Sequence, residues 1–211
     1  NRVVDQKLLL DDGILSRDGW SVFDDSRTPV IIPHPVTGQW FEKRPDSPGY
    51  CDFYFFGFGH EYKTALKYAA MLFGRQPLPS RYAFGYWYSR YWAFCDEELE
   101  ELVEKFNRTH TPLDVLVLDM DWHLPGWVGF TWDKDFFPDP GSFLKKLREQ
   151  NIRVCLNVHP GDISPHENAY GRIATALNFN TGGQESIPFQ IESPESMSCC
   201  IRELLNPEEE R

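Results

Sequence analysis

The segment PLDVLVLDMDWH, residues 112–123, constrains the fold more than any other part of the chain. Val115, Leu116, Val117 and Leu118 stand in a row, too few for a helix and without the alternation of a half-exposed strand. Such a run suits a strand covered on both faces, the condition of a parallel sheet between layers of helices. Asp119 and Asp121 follow at once, separated by Met120. A carboxylate without a partner is costly to bury, so the strand must carry these groups to an open end. In parallel α/β folds the carboxyl ends of the strands are where functional groups gather.

The flanking residues repeat the pattern. Residues 82–89, YAFGYWYS, read as a strand. Residues 96–109 read as a helix capped by Asp96, with Leu99, Leu102, Val103 and Phe106 as its apolar stripe. Asp139 as N-cap and Pro140 at the first helical position open a helix over 140–150 that buries Phe143, Leu144 and Leu147. Residues 153–159, RVCLNVH, read as a third strand. The order is strand, helix, strand, helix, strand, which implies a parallel sheet. Each strand ends in polar groups: Ser89 and Arg90, then Asp119 and Asp121, then Asn157 and His159. Three polar ends on one rim point to a site. Strand alternation places Asp119 and Asp121 on one side and Met120 on the other. Residues 160–192 read as irregular, and 193–205 as a last helix.

Before residue 80 the chain has a different character. Residues 1–60 are rich in strands and turns, with turn signals at Asp12-Gly13 and Asp18-Gly19. The prolines of TPVIIPHPVTGQW suit an edge strand. Residues 61–74 read as a helix with Tyr62, Leu66, Ala69, Ala70 and Phe73 at helical spacing and Gly74 beyond its end. RQPLPSR, with two prolines, is a stiff connection and marks a boundary.

Composition narrows the classes of function. The net charge of -11, from 21 basic and 32 acidic residues, argues against a nucleic-acid surface and against an anionic membrane. No apolar run approaches the roughly 18 residues of a membrane helix. The first residue is Asn1, read as an internal start, and no compartment is indicated. The 5 cysteines form no CxxC pair, so a zinc ribbon is not expected, and Cys155 reads as a small buried hydrophobe. Asn107-Arg108-Thr109 matches the glycosylation acceptor pattern, which is common by chance. The 7 Trp, 9 Tyr and 16 Phe suit a packed core first, and those near loop signals also suit the apolar faces of sugars. Asp-x-Asp after an apolar strand also occurs where a metal-dependent glycosyltransferase holds a divalent cation and a nucleotide sugar, though no further metal ligand is evident.

GRQPLPSRYAFGYWYSRYW, FNRTHTPLDVLVLDMDWH and FTWDKDFFPDPGSFLKKLREQNIRVCLNVHP, taken in order, resemble glycoside hydrolase family 31, which includes α-glucosidases, α-xylosidases and α-galactosidase-like members. The resemblance implies the first three β/α units of a (β/α)8 TIM barrel, an α/β fold, preceded by the end of an N-terminal β-sandwich. On this reading, residues 1–60 are the sandwich end, 61–80 a linker helix and Pro-rich connection, and 81–211 an incomplete barrel. Beyond residue 80 there are 211 − 80 = 131 residues, and a full barrel needs roughly 250. The implied activity is hydrolysis of α-linked glycosides with retention of configuration, and no cofactor is implied. The nucleophile and the acid/base are expected downstream of Arg211, so no catalytic residue is assigned in this chain. The resemblance gives Asp119 the hydroxyls of the sugar in subsite −1 and gives Met120 a packing place beside that sugar. His159 stands where many relatives have aspartate. Arg90 and Trp122 are implied rim residues, and Trp127 and Trp132 suit either the wall of the pocket or the core. The expected partners are an α-linked oligosaccharide or glycoside and the remainder of the barrel. The alternatives are a truncated, non-catalytic sugar-binding protein and, on the Asp-x-Asp motif, the glycosyltransferase.

Overall fold

The computed structural model describes residues 13–180, 182 and 185–205. The chain divides into two compact units, Asn1–Leu78 and Pro79–Arg211. Among the described residues, no helix is long and apolar enough to cross a membrane.

In the first unit, β1 (Ser21–Asp24) pairs antiparallel with β4 (Phe53–Phe56), and β2 (Val30–His34) with β3 (Gly38–Glu42). Pro33 lies inside β2, which has β3 as its one partner among the described strands, as an edge strand allows. The expected turn at Asp18-Gly19 forms with Gly19 at φ 82, and Gly59 donates its N–H to Gly19 O at 2.8 Å. A side chain on Gly19 would run into the Gly59 backbone, so this position needs glycine twice over. Asp12 of the other expected turn lies outside the described residues. Helix α1 (Tyr62–Phe73) buries Ala65 and Ala69, and Phe73 meets the rings of Phe23, Tyr54 and Phe56. Of the expected stripe, Ala69 is buried and Phe73 packs on these rings, whereas Tyr62 and Leu66 are exposed. Arg44 ties the connections together, pairing with Asp25 at 2.6 Å and Asp52 at 2.9 Å and donating to Thr28 O.

In the second unit, β5 (Trp87–Tyr88), β6 (Val115–Leu118) and β7 (Arg153–Leu156) form a parallel sheet in that order. The expected strand over 82–89 is mostly something else: residues Arg81–Phe84 form a 3-10 helix and only Trp87–Tyr88 pair. Long-range contacts decide this. Asp114 accepts the Tyr86 N–H at 2.8 Å, Gly85 lies flat against the Asp114 side chain, and the Arg153 guanidinium sits 5.4 Å from the Tyr82 ring. These contacts bind the lead-in to the amino ends of β6 and β7.

Helix α2 (Asp96–Arg108) is capped at Cys95 rather than Asp96; Glu98 reaches back to accept the Cys95 N–H at 3.1 Å. Asp96, Glu97 and Glu98 in its first turn suit the positive end of the helix dipole. Helix α3 (Pro140–Glu149) starts as read, with Asp139 accepting the Ser142 N–H at 3.0 Å. Leu116 and Leu118 of β6 pack against Leu99 and Val103 of α2 and Phe143 and Leu147 of α3. Residues 160–192 are less irregular than expected. They contain α4 (Tyr170–Ala176), and Ile163 bridges Ile187. The expected helix over 193–205 is α5 (Pro194–Cys200), capped by Ser193, followed by a π-helical turn over Ile201–Leu205. Ile163, Ile173, Ile187, Cys199, Cys200 and Leu204 form a second core under this segment.

Two substitutions separate the glycines that are confined from those that are not. Gly85→Ala forces a methyl group into the Asp114 carboxylate and is expected to destabilise the protein by about 1–3 kcal/mol. Gly171→Ala, inside α4 with open space around it, is expected to stabilise by up to about 1 kcal/mol. Urea unfolding of the two variants measures both. The thiols give a second check. Cys51 is exposed, whereas burial raises the thiol pKa of Cys199 and Cys200. A disulfide reagent at neutral pH is expected to label Cys51 rapidly and the buried pair only on unfolding.

Candidate functional site

Register determines which groups meet at the carboxyl end of the sheet. Tyr88, Leu116, Leu118, Val154, Leu156 and Val158 all pack on the side of α2 and α3. Alternation therefore turns Val117, Cys155 and the residues that continue them to the opposite side. Leu118 is paired with Leu156, so Asp119 stands beside Asn157. The Asn157 side-chain amide donates to Asp119 Oδ1 at 3.3 Å, and the Asn157 N–H donates to Leu118 O at 2.8 Å. His159, two residues on and beyond the end of β7, lies against the ring of Trp127.

Asp121 does not share that face as expected. Its φ is 64, in the left-handed region that aspartate tolerates, and the chain bends away from the strand there. The bend drives Trp122 inward. Trp122, expected on the rim, is 1% exposed; its indole Nε1 donates to Asn157 O at 2.9 Å, and its ring meets Trp132 edge-on at 5.1 Å. Trp132 is also core. Met120 is 8% exposed, a buried neighbour of Asp119. Arg90 is exposed, with its guanidinium 4.6 Å from the Trp92 ring and 6.0 Å from Phe94 of its own loop. The structure thus brings Asp119 against Asn157, bonds Trp122 to the Asn157 carbonyl, sets His159 against Trp127, and leaves Arg90 on its own loop.

The long connection after β6 folds back on itself. His123 bridges Trp132, Leu124 donates its N–H to Thr131 O at 2.9 Å, and Asp133 donates its N–H to Trp122 O at 2.9 Å. The result is a short antiparallel excursion with Trp127 near its tip. At its base, the buried His123 meets a carbonyl, Leu124 O, 2.8 Å from Nδ1, so Nδ1 carries the proton. Gly129 leaves no room for a side chain against that imidazole.

Two tying residues were not singled out from sequence. Asn157 was noted only as a polar strand end. Glu167, 7% exposed, accepts the Phe130 N–H at 3.1 Å and the Thr131 hydroxyl at 2.6 Å, which joins the excursion to the loop after β7. A charge without an apolar pattern around it carries no sequence signal for such a contact. Beside it lies a cavity of about 220 Å³ lined by Thr131, Asn168, Arg172 and Glu203. A hydrogen bond from Arg172 at 2.7 Å, with a second from Arg202, holds the Glu203 carboxyl below its usual range. Among the described residues, no group of three or more His, Cys, Asp or Glu side chains is placed to hold a metal ion.

This arrangement is that of a TIM-barrel fragment, and comparison with known proteins agrees. Residues 76–208 match the model for the glycosyl hydrolases family 31 TIM-barrel domain. The chain is 35% identical over 154 residues to the alpha-xylosidase XylQ of Lactiplantibacillus pentosus, covering 69% of this chain and 19% of that protein. It is 36% identical over 113 residues to alpha-glucosidase 2 of Bacillus thermoamyloliquefaciens, covering 54% of this chain and 14% of that protein. The chain therefore spans less than a fifth of either relative. Among solved structures, a family 31 alpha-xylosidase from a soil metagenome, complexed with xylose, superposes with a TM-score of 0.58 at 17% identity, over 88% of this chain and 29% of that one. That likeness speaks for the fold. With the family match covering more than half of its residues, this chain belongs to glycosyl hydrolases family 31.

Proposed function

We propose that this chain supplies part of the sugar pocket of a retaining α-glycosidase that hydrolyses O-glycosyl bonds in α-linked oligosaccharides or glycosides. The observation that carries the reading is the family 31 barrel match over 76–208, which spans all three polar strand ends. On this reading, β5, β6 and β7 belong to the first three β/α units of the barrel, and residues 1–60 are the end of a β-sandwich. The relatives named as an alpha-xylosidase and an alpha-glucosidase support an α-linked pyranoside as substrate.

In this reading the chain binds rather than cleaves. A retaining glycosidase attacks the anomeric carbon with one carboxylate while a second carboxylic acid protonates the leaving oxygen, and water then releases the sugar. Both of those groups are assigned to later strands, beyond Arg211. Asp119 is assigned the hydroxyls of the sugar in subsite −1. Asn157 fixes one of its oxygens, Oδ1, and no described residue is bonded to Oδ2. A carboxylate held in this way is a pre-oriented acceptor for two neighbouring hydroxyls. His159 is assigned a further hydroxyl, and the buried Met120 is assigned the packing beside the sugar.

Asp119→Ala in the full-length protein is expected to lower kcat/KM for α-glucosides and α-xylosides by about 10- to 100-fold, the worth of a charged hydrogen bond. Asn157→Ala is expected to cost less, and to raise KM more than it lowers kcat. Steady-state hydrolysis of α-glycosyl fluorides measures both. Unchanged kcat/KM for Asp119→Ala on every cleaved substrate would remove Asp119 from the pocket.

A further inference from the structure

We infer that Glu167 is a positioning residue: it fixes the excursion after β6, and the excursion in turn fixes the ring of His159. The inference rests on the glycosidase reading above, which gives His159 a sugar hydroxyl, and adds to it the group that sets how that imidazole is presented.

A carboxylate is costly to bury unless its oxygens are bonded. Glu167 is 7% exposed and has no ion-pair partner among the described residues. Both of its oxygens go to the excursion instead. Oε1 accepts the Phe130 N–H at 3.1 Å, and Oε2 accepts the Thr131 hydroxyl at 2.6 Å. Bonds to an ionised acceptor are the strong ones. The Thr131 oxygen accepts the Asn168 N–H at 3.0 Å in return, so three hydrogen bonds join the excursion to the loop after β7. The far end of the link is firm. Glu167 donates its N–H to Ser164 O and accepts the Tyr170 N–H, each at 3.0 Å. Ile163 and Tyr170, on either side of it, belong to the second core. Glu167 therefore ties the excursion to a packed body.

His159 depends on that tie because little else holds it. It lies beyond the end of β7, and among the described residues no main-chain hydrogen bond holds residues 158–162. Its buried Nδ1 has no partner among them either. What holds the imidazole is contact with the excursion. Its ring lies against that of Trp127, with centroids 4.2 Å apart and planes 37° from parallel. The next residue, Val128, is set against Gly161, where any side chain on that glycine would collide with it. Trp127 and Val128 come just before Phe130 and Thr131, the two residues that Glu167 binds. The order of support is thus second core, Glu167, excursion, imidazole. Hydrogen bonds weaken steeply with angle, so a ring that tilts is a poorer partner for a fixed hydroxyl. Glu167 acts on the sugar only through this ring.

The test is a double-mutant cycle in the full-length protein. His159→Ala and Glu167→Ala are each expected to lower kcat/KM for α-glycosyl fluorides about tenfold, the worth of one hydrogen bond. The double variant is expected to stay within about twofold of His159→Ala alone, because both changes act through one imidazole. Thr131→Val opens the same link from the other side with its packing intact, and is expected to follow Glu167→Ala. Glu167→Gln is expected to recover most of the loss, since its amide oxygen can accept the Phe130 N–H and its NH2 can donate to the Thr131 oxygen. Losses that multiply in the double variant, or full activity in His159→Ala, overturn the inference. The imidazole also gives a readout independent of catalysis. With histidine isotope-labelled at Cε1, the His159 resonance is identified by its loss in His159→Ala, and the indole ring current displaces it. It is expected to move toward the position of an unstacked histidine in Glu167→Ala and Thr131→Val and to stay in place in Glu167→Gln. A resonance unmoved in the first two overturns the inference even where activity falls. If the unmodified protein hydrolyses no α-glycoside, the glycosidase reading fails, and the resonance alone decides whether Glu167 positions His159.

Discussion

Asn157 is the residue on which the rim depends. Its N–H closes the last rung between β6 and β7, its carbonyl receives the Trp122 indole, and its side chain orients Asp119. One residue therefore connects the sheet, the buried aromatic layer and the polar edge. The connection explains why the chain can turn sharply at Asp121 without losing register: the bend is compensated by the indole hydrogen bond and by the edge-on packing of Trp122 on Trp132. It also means that the placement of the Asp119 carboxylate is decided by a parallel strand pair rather than by the loop that follows it.

The sequence is most legible where a long local pattern meets a tertiary need. The run Val115–Leu118 forms the central strand as expected, with α2 and α3 packed on one side, while Val117 on the other side is only half-buried among the described residues. Asp139 and Pro140 mark the start of α3 without ambiguity. Legibility fails where contacts between distant residues decide. YAFGYWYS has strand-forming residues, but the Asp114 carboxylate and the Arg153 guanidinium draw its first half into a 3-10 turn. Helix α4 is only two turns long and has no side-chain cap, so its periodicity is too brief to stand out.

The site is legible to a lesser degree, for a related reason. Polar groups at strand ends are visible in one dimension, and the expectation that Asp119 and His159 bind sugar starts from them. The division of labour among the tryptophans is not visible in this way. Trp122, Trp127 and Trp132 look alike in sequence, yet two are core and one is exposed. Only the antiparallel pairing of the excursion, set by His123 and Trp132, separates them. The resemblance to a family supplies roles for residues, and the register of the chain supplies their orientation.

The unequal strand pairing has a consequence for motion. β5 is held to β6 over two residues, whereas β6 and β7 are in register over four. Local opening costs least where few backbone hydrogen bonds must break, so amide protons of Trp87 and Tyr88 should exchange through fraying of one edge. Those at the end of β6 should exchange only when the larger unit opens. The two halves of the rim then differ in stiffness. Asp119 and Asn157, at the end of the longer pairing, keep a fixed geometry, while the loop of Arg90, carried on the looser strand, is freer to move.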